Sequence, residues 1–371
     1  MILSFSFVRF RDVRYGFGIA ATSFLGLAIV LSSADKKVEV KFGKSIEIGR
    51  AEHIFGSIAS VCEDNERNFY VLDANDFQVF KFSWEGRLIQ KFGGKGQGPG
   101  DFQSPRLIIF TPQAEIAVLE DFNYVTFFDV RGTFLKRLDL NGRFELTYIG
   151  PDRFLGWDWN SGGRQQMMVD GKNKIKTTFR TQPRESFSTT LEDESGRAVM
   201  FNYVSDVYVP ELLFGYGGGV GLAGISTDYN LTLLNANGGI IGSIQRNVGP
   251  GKISNRERSY LKQEIQEFAK ARSWPDRVVR EFSKKIPDLK TIIKAVRLSP
   301  QHIFVFLVPR DIVQEDKAFP VDVFSLRGEY LGSTTKKQIP LFISEKTMYF
   351  METDNSGIDY LRRIDYTFSI Q

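Results

Sequence analysis

Short apolar strands separated by turn residues, a 46-residue spacing between the equivalent glycines Gly86 and Gly132, and six such units along 371 residues predict an all-β chain. The class read from them is a six-bladed β-propeller with a short helical insertion, preceded by an N-terminal signal peptide or membrane anchor helix. Composition points the same way. The chain is 42% hydrophobic, enough for a large core, and its 34 glycines and 33 phenylalanines suit many short strands joined by tight turns. Length alone would divide it into two or three domains, but blades that share one ring do not divide.

At the N-terminus, Arg9, Arg11 and Arg14 precede an apolar run of 15 residues, Phe17 to Leu31, followed by Ser32-Ser33-Ala34. A positive stretch, an apolar stretch and small residues at the −3 and −1 positions make a secretory signal cleaved after Ala34. No cysteine follows to mark a lipoprotein. The alternative is an uncleaved membrane anchor, for which 15 residues fall short of the ~20 that span a bilayer comfortably. Both readings place residues 38–368 outside the cytoplasm, with the arginines inside.

The first unit, Ser57 to Phe92, holds four strand candidates: Ile58–Cys62, Phe69–Leu72, Gln78–Phe82 and Arg87–Phe92, with turns at Glu63–Asn68, Asp73–Asp76 and Trp84–Gly86. The second repeats the order with Leu107–Phe110, Glu115–Leu119, Tyr124–Val130 and Thr133–Leu138. Later units share a strand, a turn with glycine and a strand: residues 126–138, 231–244 and 321–334 align, with a fainter copy at Met167–Phe179. The units fall at 57–92, 104–140, 144–180, 205–247, 291–335 and 339–368. The last has three strands at most, and Val38–Ile48 is a spare strand at the other end of the chain. In a closed ring the N-terminal strand completes the C-terminal blade, which removes an exposed edge. A ring is expected because Tyr70, Leu72, Val79, Phe80 and Phe82 make the first meander apolar on both faces. One sheet cannot bury both faces alone.

The stretch GKGQGPGDF (94–102) followed by Ser104-Pro105 looks like the linker between consecutive NHL repeats. With EDNERNFYVLD (63–73), FQVFKFSWEGRLIQKFGG (77–94) and SIEIG (45–49), it resembles the bacterial six-bladed β-propeller proteins of NHL type. The match covers residues 45–140 and is patchy beyond. Phe110 to Glu115 lacks the usual acidic-Gly-Asn turn, and 181–204 fit no repeat. The linker glycines, Gly93 to Gly100, allow the positive φ angles needed to cross from one blade to the next. Phosphate binding would need a helix next, and Pro105-Arg106-Leu107-Ile108-Ile109 reads as strand.

Residues 254–286 break the β pattern. Ser254-Asn255-Arg256-Glu257 is a capping box, with Leu261, Ile265 and Phe268 on one helical face. Pro275 and Asp276 start a second helix striped by Val278, Val279, Phe282 and Ile286, and Pro287 ends it. The resemblance also implies a helical insert here. Its polar face carries Lys262, Lys270, Arg272, Arg277, Arg280, Lys284 and Lys285. That face is either simply solvated or a contact for an anionic membrane surface or acidic partner.

Charge excludes a nucleic-acid footprint. Lys plus Arg is 48 against 44 Asp plus Glu, a formal +4. The one cysteine, Cys62, permits no intrachain disulfide and reads as a buried small hydrophobe. The two histidines, His53 and His302, have no metal-ligand spacing, and HExxH and GxSxG motifs are absent. Asp73, Asp76, Glu120 and Asp121 fall in turns, where carboxylates accept backbone hydrogen bonds. Some propeller enzymes, such as calcium-dependent lactonases and related lyases, work with Glu, Asn and Asp converging on the central channel. Here the polar candidates on innermost strands are Arg106, Asp206 and Arg297. Two cations in three do not make a calcium site and instead suit an anionic ligand. The expected function is a non-catalytic binding or scaffolding propeller outside the cytoplasm that recognises protein, peptide or glycan, with no cofactor and no metal. The alternative is a channel-centred metal-dependent hydrolase or lyase. Membrane contact is open to the N-terminal segment or the basic insertion.

Overall fold

The tight turns define the blades. Gly86 and Gly132 sit at φ +91° and +74°, a region L-residues rarely adopt, and each closes a hairpin between the third and fourth strands of a blade. The structure, a computed structural model, describes residues 37–371 apart from 51–52, 122–123, 141–143, 161, 173–174, 185–187, 193–195, 206 and 315–316. The expected signal or anchor segment, 1–34, lies outside the described residues.

The chain begins with β1 (Val38–Ile48). Blade 1 is β2 (Ile58–Glu63), β3 (Phe69–Asp73), β4 (Gln78–Phe82) and β5 (Leu88–Phe92). Blade 2 is β6 (Pro105–Phe110), β7 (Ile116–Glu120), β8 (Tyr124–Phe128) and β9 (Phe134–Asp139). Blade 3 is β10 (Phe144–Gly150), β11 (Arg153–Asn160), β12 (Gly163–Asp170) and β13 (Ile175–Pro183). A hairpin of β14 (Ser188–Glu192) and β15 (Ala198–Asn202) accounts for the segment that fitted no repeat. Blade 4 is β16 (Leu212–Gly217), β17 (Val220–Ile225), β18 (Asp228–Leu234) and β19 (Ile240–Gln245). Helices α1 (Asn255–Ala271) and α2 (Asp276–Lys284) follow. Blade 5 is β20 (Ile293–Leu298), β21 (His302–Leu307), β22 (Phe319–Ser325) and β23 (Tyr330–Lys336). Blade 6 is β24 (Phe342–Ile343), β25 (Thr347–Thr353) and β26 (Asp359–Ile370), completed on its outer side by β1.

That last pairing closes the ring. β1 runs antiparallel to β26 from Val38 opposite Ile370 to Ile48 opposite Leu361, so the chain ends meet in one sheet. Six buried apolar clusters each span one junction between neighbouring blades. Tyr70 and Leu72 on β3 illustrate the logic: they face blade 2, while Phe69 and Val71 between them face blade 6. Alternation along a strand feeds two different cores. Polar ties reinforce the junctions. The Tyr229 hydroxyl and Arg246 guanidinium of blade 4 both donate to buried Asp322 of blade 5 at 2.6 Å. Thr347 and Tyr349 of blade 6 donate to Glu63 of blade 1 at 2.7 Å.

The junction of blades 3 and 4 is built differently. Its buried apolar cluster has only Ile149, Leu155, Met168, Ala223 and Leu234. Backbones approach closely instead. A Cβ on Gly150 would lie 2.0 Å from the Ala236 carbonyl oxygen, and one on Gly221 would lie 2.8 Å from the Ile149 side chain. Gln166, fully buried, crosses the same junction and donates from Nε2 to the Leu213 carbonyl at 2.8 Å.

Strand direction alternates within a blade. The linkers into each innermost strand and the loops between second and third strands therefore share one face, here called upper. The β14–β15 hairpin, both helices and the loop after β21 all lie on that face. They meet in a seventh apolar cluster containing Tyr203, Val209, Leu261, Val278, Phe282 and Ile312. The capping box reads as expected: the Ser254 hydroxyl accepts from the Glu257 amide, and the Glu257 carboxylate accepts from the Ser254 amide.

Two outcomes test this packing. Phe82 is fully buried between blades 6 and 1 and stacks on Phe69 at 5.2 Å. Phe82→Ala destabilises the chain by about 3–5 kcal/mol in chemical denaturation, and a loss under a third of that places Phe82 outside a junction. Gly150→Ala costs about 1–3 kcal/mol through overpacking. An unchanged denaturation midpoint would rule out the close backbone approach at Ala236.

Candidate functional site

The innermost strands of all six blades enclose a cavity of about 790 Å³ on the ring axis. Such a volume is in the usual range for small-molecule sites. Arg106 on β6 and Arg297 on β20 both line it, as their place on innermost strands requires. Asp206 lies outside the described residues. Two further cations, Lys294 and, at the lower end, Arg67, also line the cavity, and neither was singled out from sequence.

A shared backbone device places two of these side chains. The pairing of the innermost strand with its neighbour slips by one residue in blades 1, 2 and 5, between Ile58 and Ser60, Pro105 and Leu107, and Ile293 and Ala295. The extra residue is the second of each strand: Ala59, Arg106 and Lys294. A bulge re-aims the side chain that it carries. The signal for Lys294 was present in the sequence, as a second-position cation matching Arg106, but only the register reveals the equivalence.

Arg106, Arg297 and Lys294 are held differently. Arg106 Nε pairs with Asp121 at 3.1 Å, and its Nη2 donates to the Leu146 carbonyl at 2.9 Å. Arg297 donates from Nε to the Pro340 carbonyl at 2.7 Å and from Nη1 to the Val296 carbonyl at 2.8 Å. Neither acceptor is charged, and burial lowers the Arg297 pKa to about 10. Burial, with Lys317 nearby, lowers that of Lys294 to about 8.

Two carboxylates elsewhere on the ring are occupied with the backbone. Buried Asp73 accepts from the amides of Gly56, Ser57, Asn75 and Asp76 at 2.6–3.1 Å. Glu120 accepts from the amides of Gln103 and Ser104 at 2.6 and 3.2 Å. Both close strands rather than sit in the turns proper, and both pin a linker that enters an innermost strand. Glu63, Asp64 and Glu345 line the lower end of the cavity. Cys62 is buried in the wall, and burial first, then Asp64 and Glu63, pushes its thiol pKa well up. The His302 ring lies tilted against Phe368, centroids 4.2 Å apart, and His53 lies against Phe80 and Phe82. Among the described residues no three His, Cys, Asp or Glu side chains form a group that could hold a metal ion. No described helix is long and apolar enough to cross a membrane.

Beside the upper mouth, the cap of hairpin, helices and loop is fastened by a buried ion pair. Lys290 bonds Glu257, and both are almost fully buried. Lys290 also donates to the Arg310 carbonyl at 2.6 Å, while Glu257 accepts from the Ile312 amide at 3.1 Å. Burial alone would raise the Glu257 pKa. The hydrogen bonds from Lys290, Ser254 and Ile312 outweigh it and hold that pKa below the ordinary value.

A family model described as a 6-bladed beta-propeller matches residues 50–209. No curated protein sequence matches the chain. Among solved structures, the chain is similar to a Bacteroides fragilis protein described as exported, at TM-score 0.52 and 10% identity, over 89% of this chain and 95% of that one. It is similar to a member of the DUF4221 family from Bacteroides vulgatus at TM-score 0.52 and 11% identity, over 91% and 100%. Streptogramin B lyase matches at TM-score 0.40 and 8% identity, over 88% and 98%. At these identities the first two likenesses speak for the fold alone, and the third says nothing of chemistry.

Removing the cation of the cap pair leaves Glu257 buried without a counter-charge. Lys290→Met destabilises the cap by about 3–5 kcal/mol. Hydrogen exchange reads this as faster exchange of α1 amides with the blade strands unchanged, and unchanged α1 protection would mean the pair does not fasten the cap.

Proposed function

We propose that this chain is a non-catalytic binding propeller outside the cytoplasm, which takes an anionic group of a protein, peptide or glycan at the upper mouth of its channel. One observation carries the reading. The upper part of the cavity wall carries Arg106 and Lys294, with Arg297 deeper, while the lining carboxylates Glu63, Asp64 and Glu345 sit with Arg67 at the lower end. An upper mouth so lined favours negative charge over a metal cation. The NHL-type resemblance of residues 45–140 supports a binding role. The signal or anchor reading of residues 1–34, and the fold shared with a protein described as exported, support the location.

The cap gives the mouth one elaborated side, beside blades 3 to 5, where a larger ligand gains contact area. Membrane contact, where it occurs, runs through the N-terminal segment or the solvent side of the helices, on which Lys262, Lys270, Arg277 and Arg280 are exposed.

The test is recovery of ligand with the full-length protein from its native envelope fraction, read by mass spectrometry beside elemental analysis. The wild type retains an anionic protein, peptide or glycan that Arg106→Met and Arg297→Met lose. Stoichiometric calcium or zinc, with turnover that follows the metal, would replace this reading by a metal-dependent hydrolase or lyase.

A further inference from the structure

A second cavity, of about 490 Å³, opens on the lower face, away from the cap. That volume also suits a small molecule. Three blades build it. Arg67 comes from the β2–β3 turn of blade 1, His302 from the start of β21 in blade 5, Glu345 and Lys346 from the β24–β25 turn of blade 6, and Asp365 and Phe368 from β26. Turns between first and second strands all fall on this face, so these side chains converge. Arg67 and Glu345 line the lower end of the channel as well, and the two cavities adjoin there.

The turn does not require an arginine. Arg67 sits at φ +66° and donates its amide to the Asp64 carbonyl at 3.0 Å. Ala114 repeats that geometry in blade 2, at φ +57° with its amide on the Thr111 carbonyl at 3.0 Å. A methyl group suffices at this position, and glycine would relieve its strain. What arginine adds is a head group in the pocket. Among the described residues that guanidinium makes no hydrogen bond: its Nη2 reaches Asp365 only at 3.8 Å, and its central carbon lies over the Trp84 ring, 5.1 Å from the centroid. Asp365 is neutralised more closely by buried Arg363, at 3.2 Å.

Two opposite charges beside Arg67 are also unspent. Among the described residues Lys346 forms no ion pair, and the Glu345 carboxylate accepts only from the Gln301 amide, at 3.3 Å. The two are consecutive in the chain, with Cα atoms about 3.8 Å apart, yet they do not pair with each other. Burial lowers the His302 pKa, so its imidazole is neutral near pH 7 and adds no charge to the wall. The His302 and Phe368 rings, centroids 4.2 Å apart, supply the flat apolar side of the pocket.

We propose that this pocket binds a free α-amino acid with an apolar side chain, its carboxylate at Arg67 and Lys346, its ammonium at Glu345 and its side chain along His302 and Phe368. An α-amino acid bears both charged groups on one carbon, which matches opposite charges carried by consecutive residues. A lone anion would meet the Glu345 carboxylate, and a lone cation would meet Arg67 and Lys346; a zwitterion answers both signs. A guanidinium fork with its donors unspent suits the two oxygens of a carboxylate. The site lies on the opposite face from the upper mouth and does not depend on the reading of that mouth.

Calorimetry on the full-length protein with phenylalanine, N-acetylphenylalanine and phenylalanine amide tests the proposal, since each derivative lacks one of the two charges. Phenylalanine binds at least ~10-fold tighter than either derivative, and tighter than glycine, which lacks the apolar side chain. Lys346→Met lowers its affinity towards that of the amide, and Glu345→Gln towards that of the N-acetyl compound. Both side chains are exposed, so these variants keep the fold. Arg106→Met, at the upper mouth, leaves binding unchanged. Either derivative binding as tightly as phenylalanine overturns the zwitterion, and so does the absence of binding by folded wild type. Loss of binding in Arg106→Met would move the amino acid into the channel and overturn the lower pocket.

Discussion

Every four-stranded sheet of this chain is apolar on both faces, and that fact determines most of the architecture. A half-exposed sheet can be covered by one partner, but a sheet with two greasy faces needs two. Neighbours on both sides of every member leave no end, so the array must close. Strand β3 carries the constraint in five residues. Phe69 and Val71 point into one junction, Tyr70 and Leu72 into the next, and all four are fully buried. Closure falls on β1, whose pairing with β26 covers an edge that would otherwise be open to other chains. The channel follows from closure, because six innermost strands around one axis must enclose something.

Those parts of the fold that repeat were legible in the sequence. The spacing from Gly86 to Gly132 marked the blades, and residues 38–48 could be assigned to the last one because it lacked a strand. The capping box at Ser254 and Glu257 was readable because its hydrogen bonds are local. What escaped depends on partners far away in sequence. The hairpin β14–β15 buries only alternate residues, because only one of its faces is covered, by the helical cap, and so it lacks the two-faced apolar pattern of a blade. The junction of blades 3 and 4 relies on Gly150 and Gly221 meeting backbone and side chain from the other blade, which no pattern of large apolar residues signals.

The candidate site divides along the same line. Arg106 and Arg297 could be named from sequence because a polar residue in an innermost strand has only the channel to face. Lys294 could not, because its equivalence to Arg106 is a matter of register, and register is visible only once β20 is paired with β21. The carboxylates show the opposite case. Asp73 and Glu120 were read as backbone acceptors, and their acceptor roles are to the linkers entering β2 and β6. Neither of those two lines the channel; the carboxylates that do, Glu63, Asp64 and Glu345, lie at its lower end, away from Arg106 and Lys294.

A propeller repeats its strands for stability and varies what lies between them. In this chain the variation is concentrated on one face: the hairpin after β13, the helices after β19 and the long loop after β21 converge in a single cluster. The bulges that aim Arg106 and Lys294 lie at the start of innermost strands, hence toward that same face. Two kinds of departure from the repeat, one in the loops and one in the register, therefore point to one mouth of the channel. Neither contributes to the apolar junctions that close the ring. The Glu257–Lys290 pair is buried, and a buried ion pair rarely stabilises more than an apolar pair of the same shape. What it supplies is geometry: Lys290 and Glu257 together fix α1, the approach to β20 and the loop at 309–312 in one arrangement beside the mouth. The strand that it anchors by its first residues is the one that carries Lys294 and Arg297.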